Sequence, residues 1–573
     1  MPMRLGINWK KDTGIKKYQE IFTQPAIRDA FGKHLQRILS DTGYIRYPGG
    51  IFTQQMPLEI NEANQDYTTP GYPIFYQFCN EYKLKTSQQL PTSSIIKNND
   101  SIRIKADVKS PINWAIADSI ISQAKSMVQW LNDQGYSQRI MFWEIGNEDW
   151  YDPELRLRPQ EYAEIVSRYL TALRGLIPPE KILVGAQPGM RGGSQNWGYE
   201  VLQNIKSRGL ADAIGGVSTH IYPYFLNRPT YDSSTFDFNA YCLGDLLPQS
   251  FAAEYQNTVS ALDSLGYNKN IKIHITECAV DVAGPRTDTQ STFKNNRKNY
   301  AAAAGIVRML LPVAQDSRFG GAVYYCLFHK YLLTPEAQNP TGWKNYTAAD
   351  DWGWGQCWYV PQQPKHMFIN TPLLEAWLTL IRLLGNATQI QQKDSQMFMA
   401  IATDNNPVRL LFFNPTNNKS VINLASASHG IALGDGNLNL RAIKSGSRGD
   451  REDMTLFSTQ VALLNGTVAL PPYGLLLARG NDLKYNRVPL SPGFIKTNGF
   501  LRSKLLSIGE YQVRYEQGKL IPIPHNAKID NYPLSAIAGI DGLTENDIAH
   551  RFFGVTADEL VDWSIYEKDE TAT

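Results

Sequence analysis

From Arg4 to about residue 385, short apolar runs alternate with longer amphipathic stretches, and this alternation restricts the chain to a parallel α/β fold. The strand candidates are Leu5–Trp9, Tyr44–Tyr47, Ile102–Val108, Ile140–Ile145, Ile182–Ala186, Ile214–Thr219, Ile271–Thr276 and Ala322–Leu327. Helical spacing of apolar residues is clearest over Ala115–Leu131, Pro159–Leu173, Ala252–Leu265 and Tyr300–Val313. Eight such units predict a closed (β/α)8 TIM barrel. The long polar stretch 52–101, ahead of the third strand candidate, reads as an insertion beside the end of the barrel where sites form.

Beyond the barrel the pattern changes. Residues 386–480 hold short alternating strands, such as Met397–Ala402, Val408–Phe413, Gln460–Leu464 and Leu475–Ala478, separated by Asn, Gly and Ser turns; this predicts a C-terminal β-sandwich. Residues 481–573 form an extension of less definite character, partly helical. Glu545–Phe553 and Ala557–Trp563 read as two short helices, with Gly554 past the first and a Thr556/Glu559 capping box opening the second. That pattern loosely resembles the helical part of a LysM module or a helix-turn-helix. However, residues 541–573 hold nine acids against two bases, a balance that repels a phosphate backbone. A structural or partner-docking tail is the reading retained. The expected domains are therefore 1–385, 386–480 and 481–573.

A chain of 573 residues needs more than one domain, and its formal net charge of +2 gives no reason to invoke nucleic acid. The five cysteines (Cys79, Cys242, Cys278, Cys326 and Cys357) are scattered and lack metal-site spacing; Cys278 and Cys326 fall in apolar strands as buried thiols. No apolar run reaches membrane-spanning length, and Met1-Pro2-Met3-Arg4-Leu5 passes directly into a strand. The expectation is a cytoplasmic protein without membrane association, metal or organic cofactor.

Two glutamates stand at the C-terminal ends of strand candidates four and seven, where such barrels carry their chemistry: Glu148 in Trp143-Glu144-Ile145-Gly146-Asn147-Glu148, and Glu277 in Ile273-His274-Ile275-Thr276-Glu277. Paired carboxylates meet the needs of glycosidic bond cleavage, one holding a proton for the departing oxygen while the other attacks the anomeric carbon or activates water. Strand parity puts Glu144, Gly146 and Glu148 on one face, so a local distortion must turn Asn147 inward as well. The abundant Tyr (30) and Trp (12) suit stacking on pyranose faces and equally suit a core.

These residues, with Arg46-Tyr47-Pro48-Gly49-Gly50 after strand two, resemble clan A of the glycoside hydrolases and, within it, the family 51 α-L-arabinofuranosidases. The likeness spans roughly residues 4–480. It implies a retaining, double-displacement mechanism on an oligosaccharide or polysaccharide. Glu148 would serve as acid and then base, Glu277 as nucleophile, and Asn147 would bind the sugar 2-hydroxyl. Arg46 would either hold Glu277 ionised or pair with Glu144 inside the barrel. Of His220-Ile221-Tyr222, the tyrosine would hydrogen-bond the nucleophile; His220 faces the pocket or belongs to the core, and His274 reads as core. Trp343, Tyr346, Trp352, Trp354 and Trp358 would wall sugar subsites or pack within a loop. The resemblance also implies a homo-oligomer. Two positions depart from it: Ile51 follows Pro-Gly-Gly where a polar residue is usual, and Asn8-Trp9-Lys10-Lys11 lacks the glutamate usual after strand one. Both touch the glycone subsite, which keeps a β-xylosidase, endoglucanase or uronic-acid glycosidase open, as well as a polysaccharide-binding protein without turnover.

Overall fold

The computed structural model describes residues 2–9, 22, 24–39, 42–50, 53, 71–92, 102, 110–150, 157–187, 197–223, 238–280, 300–327 and 372–394, and beyond these mainly the backbones of short strands between 357 and 562. The chain divides into two compact units. One comprises Met1–Pro229, Leu247–Asp281 and Met309–Lys330; the other comprises Thr230–Leu246, Val282–Arg308 and Tyr331–Thr573.

The first unit contains a closed barrel of eight parallel strands in sequence order: β1 Arg4–Asn8, β2 Tyr44–Tyr47, β3 Thr86–Leu90, β4 Ile140–Ile145, β5 Ile182–Gly185, β6 Gly216–Ile221, β7 Lys272–Cys278 and β8 Phe319–Tyr324. Ring closure pairs β1 with β8, Gly6 lying opposite Val323. Helices Pro25–Leu39, Tyr72–Glu81, Trp114–Asp133, Pro159–Ala172, Trp197–Ser207, Leu246–Ser264 and Tyr300–Ala314 fall between the strands. Among the described residues no helix is long and apolar enough to cross a membrane.

The third strand differs from the sequence expectation. It is Thr86–Leu90, inside the stretch read as an irregular insertion, and the same stretch supplies the helix Tyr72–Glu81. Of Ile102–Val108 only Ile102 is described, and it lies outside any strand. The reason is chemical: β3 reads Thr-Ser-Gln-Gln-Leu, a polar run, yet all five residues are buried. Gln88 accepts the Tyr76 hydroxyl at 2.7 Å, and Gln89 accepts the Gly49 amide at 2.9 Å. Buried polar groups survive when each finds a partner, so this strand carries hydrogen-bonding capacity where apolarity would be the usual sign.

Alternation along the strands sorts the barrel into an interior and a jacket. Tyr44, Phe142, Leu183 and Val323 form one apolar cluster. The His274 ring packs 4.4 Å from Phe142, and neither of its nitrogens finds a partner among the described residues. Burial, with Lys272 nearby, lowers its pKa to about 3, so it stays a neutral core ring. Nearer the C-terminal strand ends the buried residues turn polar: Asn8, Arg46, Glu144 and Thr276. On the outer face Tyr47 stacks on Phe75, while Trp9 meets Phe22, Phe31 and Phe75. These rings pack helices onto strands, each worth roughly 1.5–3 kcal/mol when buried. Cys79, Cys242, Cys278 and Cys326 are buried, as expected of Cys278 and Cys326, although β8 ends before Cys326.

In the second unit the described strands pair antiparallel, with one exception. Six form one sheet in the order Ala387–Asp394, Met397–Ala402, Arg409–Phe413, Leu475–Arg479, Asn437–Ser445 and Met454–Ala462, and Ser420–Asn423 pairs separately with Thr467–Leu470. A five-stranded sheet runs Lys519–Ile523, Gln512–Glu516, Phe500–Ser503, Phe494–Thr497 and Val561–Asp562. The last strand corrects the helix expected over Ala557–Trp563: Val561 and Asp562 pair in parallel with Ile495 and Lys496. A strand partner distant in sequence overrides the local capping signal there. The helix expected over Glu545–Phe553 lies outside the described residues.

Candidate active site

The ends of β2, β4, β6 and β7 converge on one cluster. Arg46, from β2, is fully buried and forks between two carboxylates. Its Nε donates to Glu144 at 2.6 Å, and its Nη1 donates to Glu277 at 2.6 Å. Nη1 also donates to Asn8 at 3.3 Å, and Nη2 donates to Asn147 at 2.9 Å. The two roles weighed for Arg46 are thus held at once. Burial alone would lower its pKa, but the Glu144 and Glu277 carboxylates outweigh that and hold the guanidinium charged.

Glu277 reaches this cluster through an irregularity of β7. Pairing with β8 shifts register between Ile275 and Cys278, so successive residues Thr276 and Glu277 both bond inside the barrel. Thr276 donates to Glu144 at 2.7 Å. Regular alternation would have sent one of the two outward. The second Glu277 oxygen accepts the Tyr222 hydroxyl at 2.8 Å. Burial, then the Glu277 charge, raises the Tyr222 pKa well above its ordinary value, so the phenol remains a donor.

After β4 the chain leaves strand geometry. Gly146 has φ +86°, and Glu148, not a glycine, has φ +51°. The Tyr162 hydroxyl buttresses this turn by donating to the Ile145 carbonyl at 2.6 Å and accepting the Gly185 amide at 2.7 Å. Asn147 and Glu148 both turn into the cluster: Asn147 accepts from Arg46 and, at 3.1 Å, from Gln89. A methyl group on Gly146 would collide with an Asp149 oxygen, in a backbone region that side chains resist. Gly146→Ala is expected to cost about 1–3 kcal/mol in thermal unfolding and to depress any activity out of proportion to the folded fraction.

His220 stands between the two glutamates. Its Nδ1 lies 3.0 Å from a Glu148 oxygen and 3.5 Å from a Glu277 oxygen. Its ring meets Trp150 edge-on at 5.2 Å, and the Gln187 side chain accepts its backbone amide at 2.9 Å. Burial would lower its pKa, but the carboxylates of Glu277 and Glu148 reverse the direction and raise it. An oxygen of Glu148 and an oxygen of Glu277 lie within 4.8 Å of each other. Their exposures differ: 32 % of the Glu148 side chain meets solvent, against 4 % for Glu277. One carboxylate is open to an incoming molecule, while the other is locked by two donors. Glu148, His220 and Glu277 could also offer ligands to a divalent cation, although Arg46 and Tyr222 already occupy both Glu277 oxygens.

The structure therefore brings together Arg46, Asn147, Glu148, His220, Tyr222 and Glu277. Trp354 lies outside the described residues, as do Trp343, Tyr346 and Trp352; Trp358 lies on the short strand Cys357–Val360. Sequence reasoning missed Gln89, Thr92, Asp149 and Tyr325. Tyr325 is 8 % exposed, and its hydroxyl lies 3.2 Å from where a Cβ on Gly50 would stand, with a Glu277 oxygen at 3.9 Å from that same point. Only its place directly after β8 could have marked it.

No protein-family profile matches this chain, and no curated protein matches it by sequence. Among solved structures it is similar to a GH51 alpha-L-arabinofuranosidase from Thermotoga petrophila RKU-1, at 13% identity over 83% of this chain and 97% of that one, with a TM-score of 0.51. It is also similar to a conserved exported protein from Bacteroides fragilis, at 10% identity, 83% and 96% coverage and a TM-score of 0.50. A GH51 arabinofuranosidase from Xanthomonas axonopodis pv. citri matches at 12% identity, 79% and 90% coverage and a TM-score of 0.49. At these identities the likeness establishes the fold alone, a (β/α)8 barrel.

Proposed function

We propose that the chain is a retaining glycoside hydrolase acting on an oligosaccharide or polysaccharide by double displacement. The carrying observation is the approach of Glu148 and Glu277 to within 4.8 Å, from the C-terminal ends of β4 and β7 of a closed barrel. Inversion needs room for a water between the carboxyls, at a separation of about 6.5–9.5 Å, whereas retention works at about 5–5.5 Å. The spacing here supports retention.

In this reading Glu277 attacks the anomeric carbon and Glu148 donates its proton to the departing oxygen. Arg46 and Tyr222 hold the nucleophile by both oxygens and fix its orientation. Once Glu277 is esterified, Glu148 takes a proton from water and the glycosyl-enzyme is hydrolysed. Asn147, held by Arg46 and Gln89, is placed for a sugar hydroxyl. No step requires a metal or an organic cofactor. The β-strands over 386–480 serve as an accessory sandwich.

The glycone assigned first is α-L-arabinofuranosyl, supported by the Arg46–Gly50 and Trp143–Glu148 motifs. Ile51 and the Asn8-Trp9-Lys10-Lys11 run favour a second reading, a different clan A glycone. Nitrophenyl α-L-arabinofuranoside, β-D-xyloside, β-D-glucoside and β-D-glucuronide separate the two. Turnover of the first alone supports the first assignment, and turnover of another member transfers the assignment to it. Silence toward all four and toward intact polysaccharides, with binding retained, would leave a carbohydrate-binding protein. Glu148→Ala is expected to lose about 10²–10⁴-fold in kcat/KM on unactivated glycosides and far less on dinitrophenyl ones, because a good leaving group needs no proton. Equal losses on both would remove Glu148 from the acid role.

A further inference from the structure

The residue following Glu148 is built into the strand end more firmly than Glu148 itself. Asp149 is 5 % exposed, and its carboxylate folds back over the turn that precedes it. One oxygen accepts the Thr92 hydroxyl, two residues beyond β3. The carboxylate also accepts the backbone amides of Asn147 and of Asp149 itself. The other oxygen occupies the space that a side chain on Gly146 would fill. The Asp149 carbonyl accepts the Leu157 amide at 2.8 Å, which ties in the chain leading to the helix Pro159–Ala172. One side chain thus joins the end of β3 to Gly146, Asn147 and the backbone on either side of Glu148.

That turn needs a clamp. Glu148 holds φ +51°, a region that a side chain with a Cβ rarely occupies unless its surroundings enforce it. The Glu148 side chain is 32 % exposed and meets His220 Nδ1 at 3.0 Å, on the pocket side of the turn rather than beneath it. Burial pushes the Asp149 carboxyl up to about 7, opposed by the hydrogen bonds from Thr92 and the two amides. An acid is kept in this unfavourable place although an apolar residue would fill it with less desolvation.

We propose that Asp149 is the positioning residue for Glu148 and Asn147, enforcing the left-handed turn that aims both into the pocket. The role rests on the reading of Glu148 as acid/base, and it predicts that loss of Asp149 reproduces the Glu148 defect in weaker form.

The test compares kcat/KM, which reports the bond-breaking step, on a dinitrophenyl and an unactivated phenyl glycoside of whichever glycone the wild type cleaves. The ratio of the two cancels any loss of folded protein. In Asp149→Ala the unactivated substrate is expected to lose about 30-fold more than the activated one. Added to Glu148→Ala, the same change should shift the ratio no further, because both act through one group. Thr92→Val, which removes one anchor of the clamp, should shift the ratio in the same direction by less, and it keeps the test open should Asp149→Ala not fold. Parallel losses on both substrates, or full additivity with Glu148→Ala, would overturn the positioning role and leave the glycosidase reading intact. A folded wild type that cleaves no glycoside would overturn that reading, and the Asp149 role with it.

Discussion

Glu277→Gln is expected to lower kcat/KM by at least about 10⁴-fold on every glycoside the wild type cleaves, because an amide can neither attack the anomeric carbon nor leave as a carboxylate. Shape is conserved, so stability should change little. Both Glu277 oxygens accept hydrogen bonds, from Arg46 and from Tyr222. The glutamine must turn its amide nitrogen toward one of them, and the tyrosine can reverse its hydroxyl to accept while Arg46 cannot. The carbonyl therefore faces Arg46, and the melting temperature should stay within a few degrees of the wild type. Full activity in a homogeneous preparation of this variant would remove Glu277 from the mechanism.

The largest stability effect is expected from Arg46→Met. Its guanidinium is fully buried and is shared among Glu144, Glu277, Asn8 and Asn147. Removing it leaves two buried carboxylates facing a gap, and breaking a buried pair in this way costs about 3–5 kcal/mol. Urea unfolding should show that loss together with a collapse of activity on activated and unactivated substrates alike, since the nucleophile itself is released. Arg46→Lys should recover little, because one ammonium cannot span the four acceptors that the planar fork reaches. A variant as stable as the wild type would contradict the network described.

Much of the site was legible in the sequence because its residues carry type, spacing and place together. Trp143–Glu148 ends a strand whose parity points Glu144 inward, and the fork of Arg46 between Glu144 and Glu277 joins two roles that the sequence could only set side by side. The misses share a cause. β3 was hidden because Thr86, Ser87, Gln88 and Gln89 are polar residues buried in the barrel, the two glutamines in hydrogen bonds, and a search for apolar runs passes over them. The irregularity that brings both Thr276 and Glu277 inward depends on pairing with β8, which no local pattern encodes. Asp149 carries no signal in the sequence, because its place comes from the turn that folds its carboxylate over Gly146. Val561–Asp562 carries local helical signals and forms a strand through a partner at Ile495–Lys496.

The most direct test of the double-displacement account is peptide mass mapping after incubation with a 2-deoxy-2-fluoro glycoside of the cleaved glycone, which slows hydrolysis of the glycosyl-enzyme. The account predicts one added glycosyl mass, confined to the peptide that carries Glu277 and absent in Glu277→Gln. A label on any other carboxylate, or cleavage that yields inverted product with no label at all, would contradict it.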